Sequence, residues 1–152
     1  MPTYELAEPY PYVSTDDAAT DAARLPAEHQ LPALLVVGRD DQPYAVVPGS
    51  QLLGRLVPEY ALQDPPPAAR FDDRDLDDVS DRLVGLTVAE WLPRHRFRPP
   101  TVGPAASVLH ITALMQRTHT PLVAVVGRDG DRTWLVGAVT AARLMERLIG
   151  GT

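Results

Sequence analysis

The pentapeptide VVGRD occurs twice in this chain, at residues 36–40 and 125–129, and this repeat constrains the fold more than any other feature. At the same spacing, Pro32 matches Pro121 ahead of each pentapeptide. Beyond the shared glycine the register shifts by three residues, so that YAVVPGSQLLGRL overlays VGAVTAARLMERL. A short identity flanked on both sides by matching patterns indicates an internal duplication. We therefore expect two halves with the same fold.

The hydrophobic pattern predicts the same order of elements in each half. A short extended piece ends at Val13 or Val102, and a helix, two strands and a closing helix follow. The first of these two strands is a continuous apolar run, which is typical of a strand buried on both faces. Each half is thus predicted as β-α-β-β-α, which makes the chain an α/β protein. The later elements are Leu34–Val37, Tyr44–Val47 and Ser50–Val57 in the first half, and Leu122–Val126, Trp134–Val139 and Ala141–Ile149 in the second.

Cap residues and proline predict where the helices begin and end. Ser107 is a candidate N-cap in the second half, and Asp16 or Asp17 is one in the first. Pro26 is expected to stop the first helix, because proline removes a helical hydrogen bond. The side chains expected on inward helix faces are Ala18, Ala22 and Leu25, then Val108, Ile111, Leu114 and Met115, and finally Leu144, Met145 and Leu148.

A change in composition separates the two halves. Residues 10–57 form the predicted first repeat, 58–86 a proline-rich and acidic linker, and 87–149 the predicted second repeat. A short amphipathic helix is expected at Val88–Leu92, ahead of the second extended piece.

Composition excludes several classes of function. The net charge of −6 argues against nonspecific binding to nucleic acid or to an anionic membrane surface. The chain has no cysteine and no lysine, which excludes disulfides, a cysteine nucleophile and a lysine base. Because no apolar run is long enough to span a membrane and the N-terminus has no secretory pattern, we expect a cytoplasmic protein without membrane insertion.

Motifs in the second half resemble a known family. TVGPAASVLHITALMQ resembles the opening of a CBS domain, the family named after cystathionine β-synthase, in which TV precedes a helix ending in methionine. LVAVVGRDGDRTWLVGAVTAARLMERL resembles its close: a strand, an Asp-Gly turn, a strand and a Gly-x-hydrophobic-Thr-x-x-Asp signature. Gly137 and Thr140 match that signature, whereas Arg143 replaces the aspartate. The same three positions of the first half hold Ala45, Pro48 and Gln51.

The resemblance implies a tandem CBS pair, or Bateman module, whose pseudo-symmetric halves pack through their sheets. Such pairs commonly bind adenine nucleotides or related adenosyl ligands between the repeats, form homodimers and regulate a partner protein. We therefore expect a stand-alone regulatory ligand sensor and not an enzyme. It would need no obligatory cofactor, would take AMP, ADP, ATP or a related adenosyl ligand, and would signal to an unidentified target protein. The alternative is a dimeric interaction scaffold with degenerate clefts that bind no ligand.

The family's ligand contacts, carried over to matching positions, imply a site lined mainly by the second half. There the threonine contacts phosphate at a helix N-terminus, where amide groups favour anions. The base packs on apolar residues of the first two strands. The expected ligand-binding residues are Thr101, Val102, Leu122, Val123, Ala124, Gly137, Val139, Thr140 and Arg143, with Gln51 from the first half. No catalytic residue and no metal ligand are predicted.

Arg143 changes the chemistry of this site. A guanidinium only donates hydrogen bonds, so it cannot accept from ribose hydroxyls as an aspartate does, yet it binds phosphate or carboxylate well. Three alternatives stay open. The cleft prefers a more anionic ligand; it binds nothing, Thr140 being only a cap and Arg143 a solvated helix residue; or Arg143 pairs with an acid on a neighbouring copy or subunit.

Pro48 weakens the equivalent site of the first half. Proline has neither a hydroxyl nor an amide hydrogen to offer a phosphate, although Gln51 keeps an acceptor for ribose. We therefore expect at most one occupied cleft per chain.

Three further features receive simpler explanations. The aspartates from Asp72 to Asp81 are expected to be a solvated linker, although carboxylates in a metal-dependent hydrolase would be a third class of function. The basic segment RHRFR, residues 94–98, is too short to be a nucleic-acid footprint in an acidic protein, and its arginines are expected to pair with the linker or reach towards a cleft. His119 is expected at an exposed helix end, or alternatively at the cleft rim.

Overall fold

The computed structural model describes residues 6–57, 81–92 and 99–150. The predicted aspartates from Asp72 to Asp78 and the RHRFR segment therefore lie outside the described residues, and the repeat boundaries at 57/58 and 86/87 stay predictions. The elements are β1 (Tyr12–Ser14), α1 (Ala19–His29), β2 (Ala33–Val37), β3 (Pro43–Pro48), α2 (Gly49–Leu53), α3 (Val88–Trp91), β4 (Thr101–Val102), α4 (Val108–Thr118), β5 (Leu122–Asp129), β6 (Arg132–Thr140) and α5 (Ala141–Gly150).

Each half forms a three-stranded sheet with the same topology. β1 is parallel to β2 and β2 antiparallel to β3, and β4, β5 and β6 repeat this arrangement. Val36 lies opposite Ala45 in the first sheet, and Val125 lies opposite Gly137 in the second. This pairing reproduces the three-residue register shift of the repeat. The predicted α/β fold of two pseudo-symmetric β-α-β-β-α halves is confirmed.

Alternate side chains of the central strands contribute to two different cores. On β2, Leu34 and Val36 pack beneath the helices of the first half, whereas Leu35 packs between the two sheets. β5 repeats this pattern, with Val123 on the helix side and Leu122 on the sheet side. Both strands are buried on both faces, as their apolar runs predict, and the halves pack through their sheets.

Each helix-side core is completed by the chain segment that precedes the other half. Leu6, ahead of the first half, is 1% exposed and lies in the core of the second half. Val88 and Trp91, ahead of the second half, lie in the core of the first. Burying an apolar side chain of this size contributes about 2 kcal/mol. Neither core is therefore complete without a segment from beyond its own sheet.

The short helix α3 is fixed to the first half by hydrogen bonds. Its N-cap Thr87 and its third residue Glu90 form a capping box: Glu90 N–H donates to Thr87 Oγ1 at 3.3 Å, and Thr87 N–H donates to Glu90 Oε1 at 3.0 Å. Thr87 donates to Glu90 Oε1 from both its amide and its hydroxyl, each at 3.0 Å, and these two bonds hold the pKa of Glu90 below its usual range. Trp91 Nε1 donates to the Arg55 carbonyl at 3.1 Å, and Arg55 Nη2 donates to the Trp91 carbonyl at 2.6 Å. The predicted helix at Val88–Leu92 is thus found, one residue shorter.

Residues 6–10, which we call the N-terminal strap, run from the second half to the first. Beyond the buried Leu6, Glu8 exchanges two backbone hydrogen bonds with Ala138 of β6, at 2.9 and 3.0 Å. Tyr10 packs against the core between the sheets, and its hydroxyl donates to the Ala33 carbonyl at 2.6 Å. The strap therefore joins the two halves independently of the linker.

The predicted stop of the first helix at Pro26 is wrong. α1 continues through Pro26 to His29. A proline this close to the C-terminus removes one helical hydrogen bond, and the last turn is closed around it, because the Gln30 amide donates to the Pro26 carbonyl. Gln30 has a left-handed backbone with φ 52°, and the equivalent His119 ends α4 with φ 54°, so both helices close in the same way.

The predicted N-caps are right in the second half and wrong in the first. Ser107 caps α4, accepting from the His110 amide at 3.1 Å. In the first half Ala18 occupies the N-cap position without a side-chain bond. Asp17 accepts from the Ser14 amide at 2.8 Å, and Asp16 forms an exposed ion pair with Arg39, so neither carboxylate is turned towards the helix.

The predicted inner face of α5 is only partly right. Leu144 is buried, but Met145 and Leu148 are 55% and 51% exposed. Both side chains line a groove between α5 and α4 that is open to solvent.

Deprotonation of Tyr10 is expected to lower the stability of the fold at alkaline pH. Burial raises the pKa of Tyr10 to about 12, although the Ala33 amide, which donates to the hydroxyl oxygen at 3.4 Å, lowers it in part. Because the folded pKa exceeds the ordinary value of 10.0, stability is lost as the pH rises from there towards 12. We expect Tyr10→Phe to lose less stability than the wild type over this range, as measured by urea unfolding from about pH 9 to about pH 12. A difference between the two proteins that stays constant with pH would contradict this account.

Candidate functional site

The junction between β6 and α5 is the centre of the candidate site. Thr140 ends the strand, and its Oγ1 accepts a hydrogen bond from the Arg143 amide at 3.2 Å, which makes it the N-cap of the helix. The Ala141 amide donates to the Pro121 carbonyl at 2.9 Å. Two of the first three amides of α5 are therefore engaged within the chain. The threonine hydroxyl can still donate its own hydrogen to a phosphate oxygen.

Arg143 lies between two carboxylates of its own chain. Its Nε is 3.5 Å from Glu8 Oε1 of the N-terminal strap, and its Nη1 is 3.5 Å from Glu146 Oε2 one turn along α5. The Nε atom is buried and has no hydrogen-bond partner. The third alternative for Arg143 requires an acid on a neighbouring copy or subunit, whereas Glu8 belongs to the segment ahead of the first half and Glu146 to α5 itself.

Gly137 is the point of closest approach between the strap and β6. A Cβ atom added there would lie 2.6 Å from the Glu8 carbonyl oxygen and 3.6 Å from the Ala7 Cβ. The absence of a side chain at Gly137 therefore lets the strap pair with the strand. The backbone that approaches Gly137 is therefore that of the strap.

The apolar residues of the predicted site fall on two different faces. Leu122 and Ala124 are fully buried between the two sheets, on the side of the other half. Val102, Val123 and Val139 lie on the opposite face of the second sheet. Because side chains alternate along a strand, these three lie in the helix-side core, away from the other half, and their side chains do not line a cleft between the halves.

The two polar residues at the margins of the predicted site are exposed. Thr101 begins β4 and pairs with Ala124. Gln51 lies on α2 of the first half. The structure therefore brings Gly137, Thr140 and Arg143 together in one short stretch, and places Thr101 at the start of a neighbouring edge strand.

The first half has the same junction without the cap. The Gly49 amide donates to the Pro32 carbonyl at 3.0 Å, as that of Ala141 does to Pro121. Pro48 stands in the position of Thr140 and makes no side-chain hydrogen bond, and α2 has only five residues. This half lacks the hydroxyl and the long helix of the second.

Sequence reasoning missed a groove of about 670 Å³ beside α5. It runs between α4, α5 and the junction of β3 with α2, and none of the ten predicted ligand-binding residues lines it. Its lining residues are Pro32, Pro48, Gly49, Ser50, Thr112, Met115, Gln116, His119, Thr120, Pro121, Ala141, Leu144, Met145 and Leu148. His119 is an exposed helix end, as one of its two predicted placements has it, and it lines this groove, which is not the predicted ligand cleft. The amphipathic pattern of α5 contained a signal, because its apolar stripe is wider than one buried leucine requires.

Comparisons with known proteins identify the family. A CBS domain family model matches residues 92–150. The crystal structure of a CBS domain-containing protein of unknown function from Kribbella flavida is 38% identical, covers 98% of this chain and 99% of its own, and has a TM-score of 0.82. The chain belongs to the CBS domain family. The resemblance to a tandem CBS pair found in the sequence is confirmed.

Two further CBS structures share the fold at lower identity. CBSX2 in complex with AMP is 18% identical over 98% of this chain and 96% of its own, with a TM-score of 0.66. The CBS domain of the bacterial CNNM/CorC family Mg²⁺ transporter in complex with ATP is 18% identical over 99% of this chain and 88% of its own, with a TM-score of 0.63. No curated protein matches the chain.

The described residues contain neither a membrane-spanning helix nor a cluster of metal-binding side chains. Among residues 6–57, 81–92 and 99–150, no helix is both long and apolar enough to cross a membrane. Across those ranges, no group of three or more histidine, cysteine, aspartate or glutamate side chains is placed to hold a metal ion.

The contact between Gly137 and the strap can be tested with a pair of glycine variants. Gly137→Ala places a methyl group against the Glu8 backbone, which must shift, so we expect a loss of about 1–3 kcal/mol in unfolding free energy. Gly103→Ala is the matched control, because a Cβ there has no atom within 4 Å. Urea unfolding of both variants measures the difference. Equal stability of the two variants would show that the strap does not lie against Gly137.

Proposed function

We propose that this CBS pair is a regulatory module that binds an adenosine nucleotide, or a related anionic ligand, beside the junction of β6 and α5. The observation that carries the proposal is the convergence of three anion-binding features there: the Thr140 hydroxyl, the N-terminus of a ten-residue helix, and the Arg143 guanidinium with its unbonded Nε. The fold neighbours in complex with AMP and with ATP support the ligand class.

The charge at position 143 favours a phosphorylated ligand over a nucleoside. Arginine donates to phosphate and accepts nothing from ribose, so the phosphate is the part of the ligand that it recognises. Thr101, Leu122 and Ala124 remain the candidate contacts for the base, and Gln51 the candidate acceptor for ribose. One occupied cleft per chain is expected, because Pro48 removes the hydroxyl from the equivalent junction.

The homodimer is part of the same proposal. Met145 and Leu148 expose more than half of their side chains along a groove whose lining is largely apolar. A second copy seated on this groove would remove that surface from water. Sedimentation equilibrium of the purified chain measures the association directly. The target protein and the cytoplasmic location stay predictions.

The second candidate function is a scaffold that binds no nucleotide. It is favoured by one set of contacts: the amides of Ala141 and Arg143 are already engaged, and Glu8 stands beside the guanidinium. In this alternative Thr140 is only a helix cap, and the protein acts through its dimer or partner surfaces.

Isothermal titration with adenosine, AMP, ADP and ATP distinguishes the two functions. We expect one site per chain, with AMP, ADP and ATP bound more tightly than adenosine. Thr140→Ala removes a hydrogen bond to a charged group, so its affinity for AMP should fall by about tenfold or more.

Ser107→Ala is the matched control for the loss of a helix cap. Both substitutions remove an N-cap and are expected to cost about 1 kcal/mol of stability, but Ser107 caps α4 and lies outside the proposed site. Its affinity for AMP should be unchanged. Two equal sites, or an unchanged affinity in Thr140→Ala, would contradict the proposed site. A dimer that gives no heat with any of the four compounds would support the scaffold.

A further inference from the structure

The carboxylate of Glu8 lies where an anionic ligand would approach Arg143. Its Oε1 is 3.5 Å from Arg143 Nε, and its backbone is fixed by the two hydrogen bonds to Ala138. The carboxylate is thus presented by the N-terminal strap, and the guanidinium by α5. Two parts of the chain far apart in sequence meet at the proposed site.

This ion pair is incomplete. The Nε atom of Arg143 is buried and makes no hydrogen bond, although the Glu8 carboxylate is its neighbour. A buried donor without an acceptor costs free energy, and an acceptor with better geometry would recover it. The side chains of Arg143 and Glu8 are 38% and 52% exposed, so solvent screens their attraction and the pair is weak. A ligand oxygen that bonds to Nε can therefore displace the carboxylate.

We propose that Glu8 is an internal competitor for the anionic group of the ligand, and that it thereby sets the affinity of the cleft for phosphorylated compounds. The inference rests on the proposed nucleotide function. A phosphate and the Glu8 carboxylate carry the same sign of charge and require the same guanidinium, so each weakens the binding of the other. Glu8 lies between Leu6 in the second half and Tyr10 on the first, so displacement of its side chain acts on a segment that contacts both halves.

Two isosteric substitutions separate competition from general electrostatics. Glu8→Gln removes the charge beside Nε and keeps the shape of the strap. Glu146→Gln removes a charge at the same distance of 3.5 Å, but from Nη1 and from within α5. Isothermal titration with AMP and with adenosine is run on the wild type and both variants, after thermal unfolding has shown that each is folded.

The expected result is a gain in AMP affinity of about three- to fivefold for Glu8→Gln, the scale of an exposed ion pair. The gain for Glu146→Gln should be under about twofold, because only Glu8 faces Nε. Adenosine carries no phosphate, so its affinity should not change in either variant.

Four results would contradict the proposal that Glu8 competes with the ligand for Arg143. If Glu8→Gln binds AMP with the affinity of the wild type, Glu8 does not compete with the ligand, whereas the proposed nucleotide function is unaffected. If the affinity for AMP rises equally in the two variants, the cause is the overall electrostatic field and not competition by Glu8. The same conclusion follows if the affinities for AMP and adenosine rise equally in Glu8→Gln. If none of adenosine, AMP, ADP and ATP binds to the wild type or to either variant, the proposed function itself fails, and competition by Glu8 fails with it.

Discussion

The hydrophobic core of the second half is completed by Leu6, a side chain that comes before the first half in the chain. It is enclosed with Val102, Ile111 and Val139 beneath the second sheet, and Val88 and Trp91, which precede β4, are enclosed in the same way beneath the first. The duplicated halves therefore exchange the segments that precede them. Because part of the apolar surface buried in each core comes from a segment beyond its own sheet, we expect the two halves to unfold as one cooperative unit.

The same exchange places the strap at the proposed ligand site. Pairing of the strap with β6 needs the missing side chain of Gly137, and it brings the Glu8 carboxylate to Arg143. A structural contact that holds the halves together thus also supplies one of the two carboxylates beside Arg143. In the proposed function, the affinity for a ligand and the packing between the halves depend on the same short segment, and this would give regulation a physical basis.

The repeat in the sequence predicted most of the fold, because alternation and apolar runs report burial directly. The order of the elements, the burial of β2 on both faces and the cap at Ser107 follow from such local patterns, whereas the packing of the halves through their sheets was implied by the family resemblance. The errors arose where tertiary contacts decide the outcome. Pro26 is tolerated because the last turn of α1 closes around it, and Met145 is exposed because one buried leucine is enough to seat α5 on its sheet.

The site was harder to predict than the fold. The signature alone predicts Thr140 and Arg143 as site residues, and the period-two alternation of strands already places the side chains of Val123 and Val139 on the helix side. The partner of Arg143 could not, since no sequence pattern connects Glu8 with a residue more than a hundred positions later. That pairing exists only because the strap crosses from one half to the other.

The most direct test of the exchanged-segment account is the unfolding free energy of Leu6→Ala in urea. The account predicts a loss of about 2–4 kcal/mol in a single cooperative transition, because the substitution opens a cavity in a core far from Leu6 in sequence. Leu109→Ala, at a side chain 75% exposed on α4, is the control and should change stability by less than about 0.5 kcal/mol. A loss for Leu6→Ala no greater than that of the control would show that the strap does not complete the second core, and would contradict the account.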